Sequence, residues 1–552
     1  MKKLARSGLL IVASLGVLSA CAYGSEDSSG DDGNSSGETV EDSGEEAEEG
    51  SGGQSGGKVS IPIVADPTFN PWHPNAYAES NVVNRVLFSG LTKPGEDLVP
   101  SPSLAESWET SEDELEWTFQ LREDVLWHDG ETFDSEDVSY TFNEIVLNEE
   151  LGANGASFFG DVEEVVVDDE FTVTFKLSNP VAALPAYLGF NSEILPEHIF
   201  NGEDPWDLSS FNKDNAVGTG PFKMSTYTSG QSVVLERNDD YFGETALLDE
   251  VEYKVLADSN THVAQILSGE LSIFSLEDTA SIERIEQQDG VDVYPRETTQ
   301  FYWLSLNQEH EKYQEPLVRQ AMTHAINREN IIDTVLQGYG TIADHGISPA
   351  LEEYYRDDVE TLAYDPDEAV SLMSEAGWEQ NDNGVFEKDG ETFDINFEIG
   401  IQGDLEQIAQ LIQQYLIEVG FNVELQTMEW NTMIDQVVIN RDYDVTLNWW
   451  RYASDPDLQP YIHSENAGSG NNIPGYQNEE MDQLLEAGAQ TSDMSERQEI
   501  YNQAQELMAT EQPYNFLWYP QEAQVKVDAL QGVPDLAFGD SLHYINEWYL
   551  EQ

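Results

Sequence analysis

Residues 393–428 read FDINFEIGIQGDLEQIAQLIQQYLIEVGFNVELQTM, and this stretch decides the fold class. Phe393–Ile399 is typical of a strand, and Asp404–Val419 carries apolar residues every three or four positions, which predicts a helix that ends at Gly420. Phe421–Thr427 predicts a second strand. A strand, a crossover helix and a strand at this spacing predict a parallel sheet covered by helices.

The same pattern continues with a predicted helix, Trp430–Ile439, and a third strand, Asp444–Trp449. Ligands of open parallel sheets bind beyond the carboxyl ends of the strands. Residues 450–457, WRYASDPD, follow this strand and combine aromatic rings, one guanidinium and two carboxylates. Composition alone leaves two interpretations open: a ligand site, or two core tryptophans (449 and 450) followed by a plain turn at 455–457.

The N-terminal half has a different pattern. Glu116–Leu121 alternates polar and apolar residues, and Val162–Val167 with Phe171–Leu177 predicts a hairpin. Ser135–Leu147 predicts an amphipathic helix capped by its first residue. We therefore predict an inserted α+β unit over residues 91–195.

Cys21 is the only cysteine in 552 residues. It follows three basic residues within the first six positions and an apolar stretch, Leu9–Leu18. That stretch is too short for a bilayer, which takes about 20 apolar residues. The pattern resembles a lipoprotein signal, which implies cleavage before Cys21 and attachment of a diacylglycerol to its thiol. The alternative is an ordinary secretory peptide with an incidental cysteine.

Residues 22–57 consist mostly of Gly, Ser, Asp and Glu, with eleven acidic residues and no Lys or Arg. This composition predicts a disordered tether that as a flexible coil would reach about 30–36 Å. The chain holds 107 acidic and 23 basic residues; without the eleven acids of the tether and the three basic residues of the signal, residues 58–552 keep 96 and 20, a charge of −76. That charge argues against a nucleic-acid partner. It also predicts a protein built for a very salty exterior, because molar salt screens such repulsion; an acidic protein of ordinary surroundings is the alternative.

Several short motifs occur in an order that resembles the dipeptide/oligopeptide-binding family of extracellular solute-binding proteins, family 5. The motifs, with the number of their first residue, are LFSGLT (87), PSLAESW (102), WTFQLR (117), HDG (128), DVSYTF (137), LPEH (195), VGTGPF (217), Asn307, VRQA (318), AINR (325), AG (376) and DPD (455). They extend over nearly all of residues 58–552.

This resemblance implies an α/β, two-lobed periplasmic-binding-protein-like fold (class II) with an inserted α+β subdomain. The implied division is signal peptide 1–20; lipidated cysteine and tether 21–57; lobe I 58–90, 196–306 and 515–552; inserted subdomain 91–195; lobe II 307–514. The lobes would close over one solute and present it to an ABC permease and its ATPase. The protein would act outside the cell membrane as a lipid-anchored monomer, with no catalytic activity, cofactor or metal.

The residues expected to bind the ligand are Tyr302, Trp303, Trp449, Trp450, Arg451 and Asp455. Peptide binders of this family carry an Asp shortly after the Trp of the lobe II strand, whereas Trp450 is followed by Arg451-Tyr452-Ala453-Ser454. Because this chain has Arg451 and no Asp directly after Trp450, Arg451 could pair with a ligand carboxylate. A peptide is the expected ligand; the alternatives are an oligosaccharide, another small organic solute or a metal chelate. A ligand-presenting sensor for a membrane receptor shares every feature, whereas a secreted hydrolase would need a catalytic site that the sequence does not contain.

Overall fold

The structure, a computed structural model, describes residues 56–551 apart from 77, 191, 208–210, 212–214, 277–278 and 469–470. These residues belong to one compact unit, Gly53–Gln552. The predicted signal peptide, Cys21 and all but the last two residues of the predicted tether lie outside the described residues.

The strands, in chain order, are β1 (Lys58–Ile63), β2 (Thr92–Pro94), β3 (Pro100–Pro102), β4 (Ala105–Thr110), β5 (Glu116–Leu121), β6 (Val162–Asp169), β7 (Thr172–Leu177), β8 (Phe222–Thr228), β9 (Ser232–Arg237), β10 (Glu250–Val255), β11 (Ile273–Ser275), β12 (Val291–Glu297), β13 (Gln300–Leu306), β14 (Gly340–Ile342), β15 (Glu379–Gln380), β16 (Phe386–Lys388), β17 (Glu391–Thr392), β18 (Asp394–Gly400), β19 (Asn422–Met428), β20 (Val445–Arg451), β21 (Asn515–Val527), β22 (Leu530–Gln531) and β23 (Tyr549–Leu550).

The α-helices are α1 (Ala78–Leu87), α2 (Ser135–Ser139), α3 (Leu184–Tyr187), α4 (Glu197–Phe200), α5 (Ser259–Leu267), α6 (Ile282–Glu286), α7 (Pro316–Ala325), α8 (Arg328–Thr334), α9 (Pro366–Glu375), α10 (Leu405–Val419), α11 (Trp430–Met433), α12 (Gln459–Ile462), α13 (Glu479–Gln490), α14 (Met494–Glu511) and α15 (Phe538–Ser541). π-Helical segments Tyr140–Val146 and Ile434–Ile439 continue α2 and α11.

The largest sheet has the strand order β11-β21-β13-β20-β18-β19, and β12 and β14 also pair with β21. Strand β18 lies parallel to β19 and to β20, with α10 as the crossover between β18 and β19. The parallel arrangement predicted from residues 393–428 is therefore confirmed. Strand β13 runs antiparallel to both β20 and β21, so the complete sheet is mixed.

Strand β21 connects two regions of this sheet. Its first part pairs with β13 and β14, whereas its second part pairs with β11 and β12. The sheet therefore crosses the predicted lobe boundaries at 306/307 and 514/515, which remain predictions. Its two faces are covered by separate apolar cores: Leu304 and Leu306 of β13 face one core, and Phe301 and Trp303 face the other.

The N-terminal half forms two smaller sheets. Strands β1, β10, β9 and β8 are adjacent in that order, with β1 parallel to β10. Strands β4, β5, β7 and β6 form an antiparallel sheet, and its β6–β7 pair confirms the predicted hairpin. One continuous apolar core joins the two sheets and includes residues from Val59 to Trp548.

The predicted helix at 135–147 forms as α2 and its π-helical continuation, but the prediction that Ser135 caps it is wrong. Asp134 is the cap, because its carboxylate accepts a hydrogen bond from the backbone N–H of Glu136 at 2.9 Å. Asp137 accepts in return from the backbone N–H of Asp134 at 3.2 Å, which completes a capping box. The Ser135 hydroxyl instead donates to the backbone carbonyl of Asp169.

The Gly218-Thr219-Gly220 motif is packed against the end of α1. A Cβ atom at residue 218 or 220 would overlap backbone carbonyl oxygens of Leu87 or Val86, so both positions require glycine. His128 bridges the motif: its Nδ1 accepts from the backbone N–H of Gly218 at 3.1 Å, and its Nε2 lies 3.0 Å from the carbonyl oxygen of Gly220. Burial lowers the pKa of His128 to about 4, so this imidazole is neutral at neutral pH. Its role is structural, because both ring nitrogens contact the backbone of the glycine motif.

Candidate ligand-binding site

Strand β20 presents two different surfaces, because successive side chains of a strand point to opposite faces. Trp449 and Arg451 lie on one face and line a cavity of about 480 Å³. Trp450 points the other way, where its ring centroid lies 5.7 Å from that of Trp303 and 5.1 Å from that of Tyr461. Its indole Nε1 donates to the Tyr514 hydroxyl at 3.2 Å.

The cavity is bordered by segments that are far apart in the sequence. Besides Trp449 and Arg451, its lining comes from residues 76–85, 154–192 and 522–539, namely Ala76, Asn81, Val82, Arg85, Asn154, Gly155, Phe158, Phe190, Ser192, Glu522, Phe538 and Gly539. Aromatic side chains therefore surround a small number of charged and amide groups. Its size and this mixture are typical of a small-molecule binding site.

Two arginines in the cavity share one carboxylate. Asp540 lies 3.6 Å from the guanidinium of Arg85 through one oxygen and 3.6 Å from that of Arg451 through the other. Burial lowers the pKa of Arg85, and the charge of Asp540 opposes that shift. Gly539 allows this arrangement, because a Cβ atom there would overlap the Arg85 guanidinium.

Glu522 is the carboxylate that lines the cavity directly. One of its oxygens accepts from the hydroxyl of Ser275 and the other accepts from the backbone N–H of Phe538 at 2.8 Å. These bonds orient the carboxylate from the protein side. The cavity thus presents guanidinium and carboxylate groups together between aromatic walls.

Two hydrogen bonds connect the predicted inserted subdomain to the predicted lobe II. The Tyr187 hydroxyl donates to the carboxylate of Asp457 at 2.8 Å. Burial raises the pKa of Asp457, and the nearby charge of Asp455 raises it further. The backbone N–H of Ala182 also donates to the carbonyl oxygen of Ala489 at 2.8 Å. These bonds hold the two regions together.

A family model for bacterial extracellular solute-binding proteins, family 5 (middle region), matches residues 99–472. The oligopeptide-binding protein AppA of Bacillus subtilis (strain 168) is 31% identical over 505 residues, which are 90% of this chain and 92% of that protein. The chain belongs to this family. Heme-binding protein A of Haemophilus influenzae is also similar to this chain, with 26% identity over 437 residues, which are 75% of this chain and 78% of that protein.

The solved structure of Bacillus subtilis AppA in complex with a nonapeptide is similar to this family 5 chain with a TM-score of 0.75 and 29% sequence identity. The match covers 91% of this chain and 100% of that chain. The two-lobed α/β fold expected from the sequence is therefore confirmed. Among the residues that the structure describes, no helix is long and apolar enough to cross a membrane.

Two of the six predicted contact residues, Trp449 and Arg451, lie together at the cavity of this family 5 protein. Tyr302 stacks on Trp518 with a centroid separation of 4.8 Å and an interplanar angle of 17°. Trp303 is fully buried in an apolar core. The structure thus brings one residue pair of the prediction to the cavity and places these two rings in packing contacts.

Asp455 and Trp450 also have structural partners. Asp455 receives two hydrogen bonds from Arg497, at 2.8 and 2.9 Å, and one from the backbone N–H of Asp457 at 3.0 Å. Together with Arg497 it borders a smaller cavity of about 170 Å³. The interpretation as core and turn therefore describes Trp450 and Asp455, whereas Trp449 and Arg451 fit the interpretation as a ligand site.

The sequence reasoning did not select Arg85, Glu522, Phe538 or Asp540. Arg85 is a basic residue in a mostly apolar stretch of α1, VVNRVL, and that pattern is the one signal that could have identified it. The other three lie in the C-terminal segment and have no motif of their own. They join the cavity only through the path of the chain after β21.

We expect Trp449→Ala and Trp450→Ala to have different effects on stability. Trp450→Ala removes ring contacts with Trp303 and Tyr461 and leaves a void, which should lower the free energy of unfolding by about 3 kcal/mol. Trp449→Ala enlarges an existing cavity and should leave the unfolding midpoint nearly unchanged. Thermal unfolding followed by circular dichroism at one fixed salt concentration measures both; equal decreases would contradict the assignment of the two faces.

Proposed function

We propose that this protein is the solute-binding component of an ABC importer and that it captures peptides between its two lobes. The observation that supports this proposal best is the 480 Å³ cavity, which is lined by strand β20 and by segments 76–85, 154–192 and 522–539. Similarity over 91% of the chain to a family member solved with a nonapeptide supports a peptide as the ligand. The protein would pass its ligand unchanged to the permease and its ATPase.

Closure would follow from where the ligand contacts lie. A ligand in the cavity touches both Trp449 on β20 and the aromatic residues Phe158, Phe190 and Phe538. Only a ligand that contacts both sides favours the closed form, because a conformational equilibrium shifts by the difference in affinity for its two states. The Tyr187–Asp457 hydrogen bond would add to the stability of that closed form.

We expect the purified protein to carry peptides and to bind synthetic ones. Native mass spectrometry of protein isolated from its own cells should show bound masses in the peptide range. Titration with an equimolar library of tripeptides, followed by tryptophan fluorescence, should give saturable binding that Trp449→Ala weakens by about tenfold or more. Bound heme, or no response to peptides, would favour the alternative of a non-peptide solute, for which the similarity to heme-binding protein A is the specific support.

We also propose that Cys21 carries the lipid that anchors the protein outside the cell membrane. The support is the placement of this single cysteine after the apolar segment Leu9–Leu18 and before the acidic tether 22–57. A diacylglycerol supplies two hydrocarbon chains, and stable anchoring needs more than one. The tether would let the receptor reach its permease at a raised effective concentration.

Cys21→Ser should move the protein from the membrane fraction to the soluble fraction, whereas Ser28→Ala in the tether should leave it membrane-bound. Mass spectrometry of the wild-type protein should give a mature chain that begins at a diacylglyceryl-modified Cys21. A wild-type protein that is fully soluble, or whose Cys21 carries a free thiol, would contradict the anchor.

The charge of −76 over residues 58–552 leads us to propose adaptation to high salt. The Debye length falls from about 10 Å at 0.1 M salt to about 3 Å at 1 M, so repulsion between surface carboxylates disappears in molar salt. The thermal unfolding midpoint should therefore rise by several degrees between 0.1 and 2 M KCl. A midpoint that stays constant across this range would contradict the proposal.

A further inference from the structure

Four arginines of the described residues are buried: Arg85, Arg319, Arg328 and Arg497. Arg319, Arg328 and Arg497 have their guanidinium groups used by the protein itself. Their acceptors are backbone carbonyl oxygens and acidic or phenolic side chains: Tyr313, Gln314, Glu511 and Gln512 for Arg319; Ala343, Asp344, Leu362 and Phe516 for Arg328; Tyr354, Asp455 and Gly488 for Arg497. These three residues are structural.

Arg451 is only half-buried, with 33% of its side chain exposed, and its guanidinium is used differently. Within the described ranges its guanidinium donates no hydrogen bond, and its Nε is buried without an acceptor. The neighbouring carboxylate, Asp540, lies 3.6 Å away, which is longer than a hydrogen bond. A guanidinium has five N–H donors, and a buried donor without an acceptor costs about 1–3 kcal/mol. Arg451 therefore has unused donors at the wall of a cavity.

Asp540 is not the partner of Arg451 alone. Asp540 also lies 3.6 Å from Arg85, so one carboxylate serves two guanidinium groups. A second anion would allow each guanidinium to have a carboxylate of its own. Such an anion could come from a ligand in the cavity, since Asp540 is the carboxylate that forms an ion pair with Arg451 among the described residues, and Glu522 is oriented by Ser275 and Phe538.

We propose that Arg451 binds a carboxylate of the ligand, which replaces Asp540 as its partner while Asp540 stays with Arg85. This inference rests on the proposed function, because it names which peptides the cavity selects: those with a carboxylate at the end that reaches Arg451. The planar guanidinium matches a carboxylate with two parallel hydrogen bonds. Trp449 and the aromatic lining exclude water around the pair and strengthen it.

The overall charge of the protein makes such a residue necessary. An anionic ligand approaches a body of charge −76, which repels it at low ionic strength. Long-range attraction is therefore not available to this receptor. Affinity for a carboxylate must come from a direct contact inside the cavity, and a contact of this kind survives molar salt better than interactions over a distance, because buried pairs are screened less.

The test compares two tripeptide libraries of the same composition, one with free carboxyl termini and one with C-terminal amides. A third library, amidated but with Asp at its last position, distinguishes a terminal carboxylate from a side-chain carboxylate. We expect wild-type protein to bind at least one acid library about tenfold or more tighter than the amide library. Arg451→Gln should reduce this preference to less than about threefold, while Arg451→Lys should retain part of it. Competition titrations in 2 M KCl provide the dissociation constants.

Two further variants sharpen the result. Asp540→Asn removes the present partner of Arg451 and should leave the preference for acids intact or larger. Arg237→Gln is the matched control. Arg237, the last residue of β9, is paired with Asp239 and Asp249, and its loss should leave the preference unchanged. Circular dichroism verifies that each variant is folded; should Arg451→Gln not fold, Arg451→Lys and Asp540→Asn carry the test.

Equal binding of acids and amides by the wild-type protein would overturn the role of Arg451 and leave peptide binding in place. A preference that Arg451→Gln does not change would overturn it as well. Failure of all three libraries to bind the wild-type protein would overturn the proposed peptide function itself, and the selectivity inferred for Arg451 would fall with it.

Discussion

Seven residue pairs hold β20 against β13, from Val445 opposite Leu306 to Arg451 opposite Gln300. This register determines which side chains reach the cavity, because a shift by one residue would turn every side chain of β20 to the other face of the sheet. With the observed register, Trp449 and Arg451 face the cavity and Trp450 joins the core. Strand β18 on the other edge of β20 holds the same strand in place.

The protein has few basic residues, and three of its buried arginines serve the fold. Of the 20 basic residues in residues 58–552, three buried arginines connect backbone segments, as Arg319 does between α7 and the end of α14. Buried charges are costly unless they are fully hydrogen-bonded, and these arginines meet that condition. Arg451 is half-buried and its Nε has no acceptor among the described residues, so its unused donors point to a ligand and not to the fold.

Long-range contacts connect the predicted inserted subdomain to the predicted lobe II. The Tyr187–Asp457 hydrogen bond is partly buried, and the pKa of the Tyr187 hydroxyl is raised well above its ordinary value by burial and by the charge of Asp457. It therefore stays protonated and remains a donor. The long strand β21 pairs with β12 through its second part and with β13 through its first part. Any movement of the lobes would therefore have to bend or twist this strand.

The sequence by itself determined the local elements, the parallel strands around α10, the β6–β7 hairpin and the family. These follow from periodicity within short windows, which backbone geometry dictates. It also pointed to Trp449 and Arg451, since it placed them at the carboxyl end of a predicted strand, which the structure extends to Arg451. Even locally it was incomplete, because both Asp134 and Ser135 are good caps and only the contact of Ser135 with Asp169 shows which one caps.

Tertiary structure alone decided the rest of the cavity. Arg85 lies 366 positions before Arg451, and Asp540 lies 89 positions after it; no local pattern encodes a distance between them. They meet because the strand register, the crossover helices and the return of the chain through β21 bring their backbones together. The same residue types in the same order would be ordinary surface and core residues under another register, since side-chain neighbours across a sheet depend on pairing and not on sequence separation.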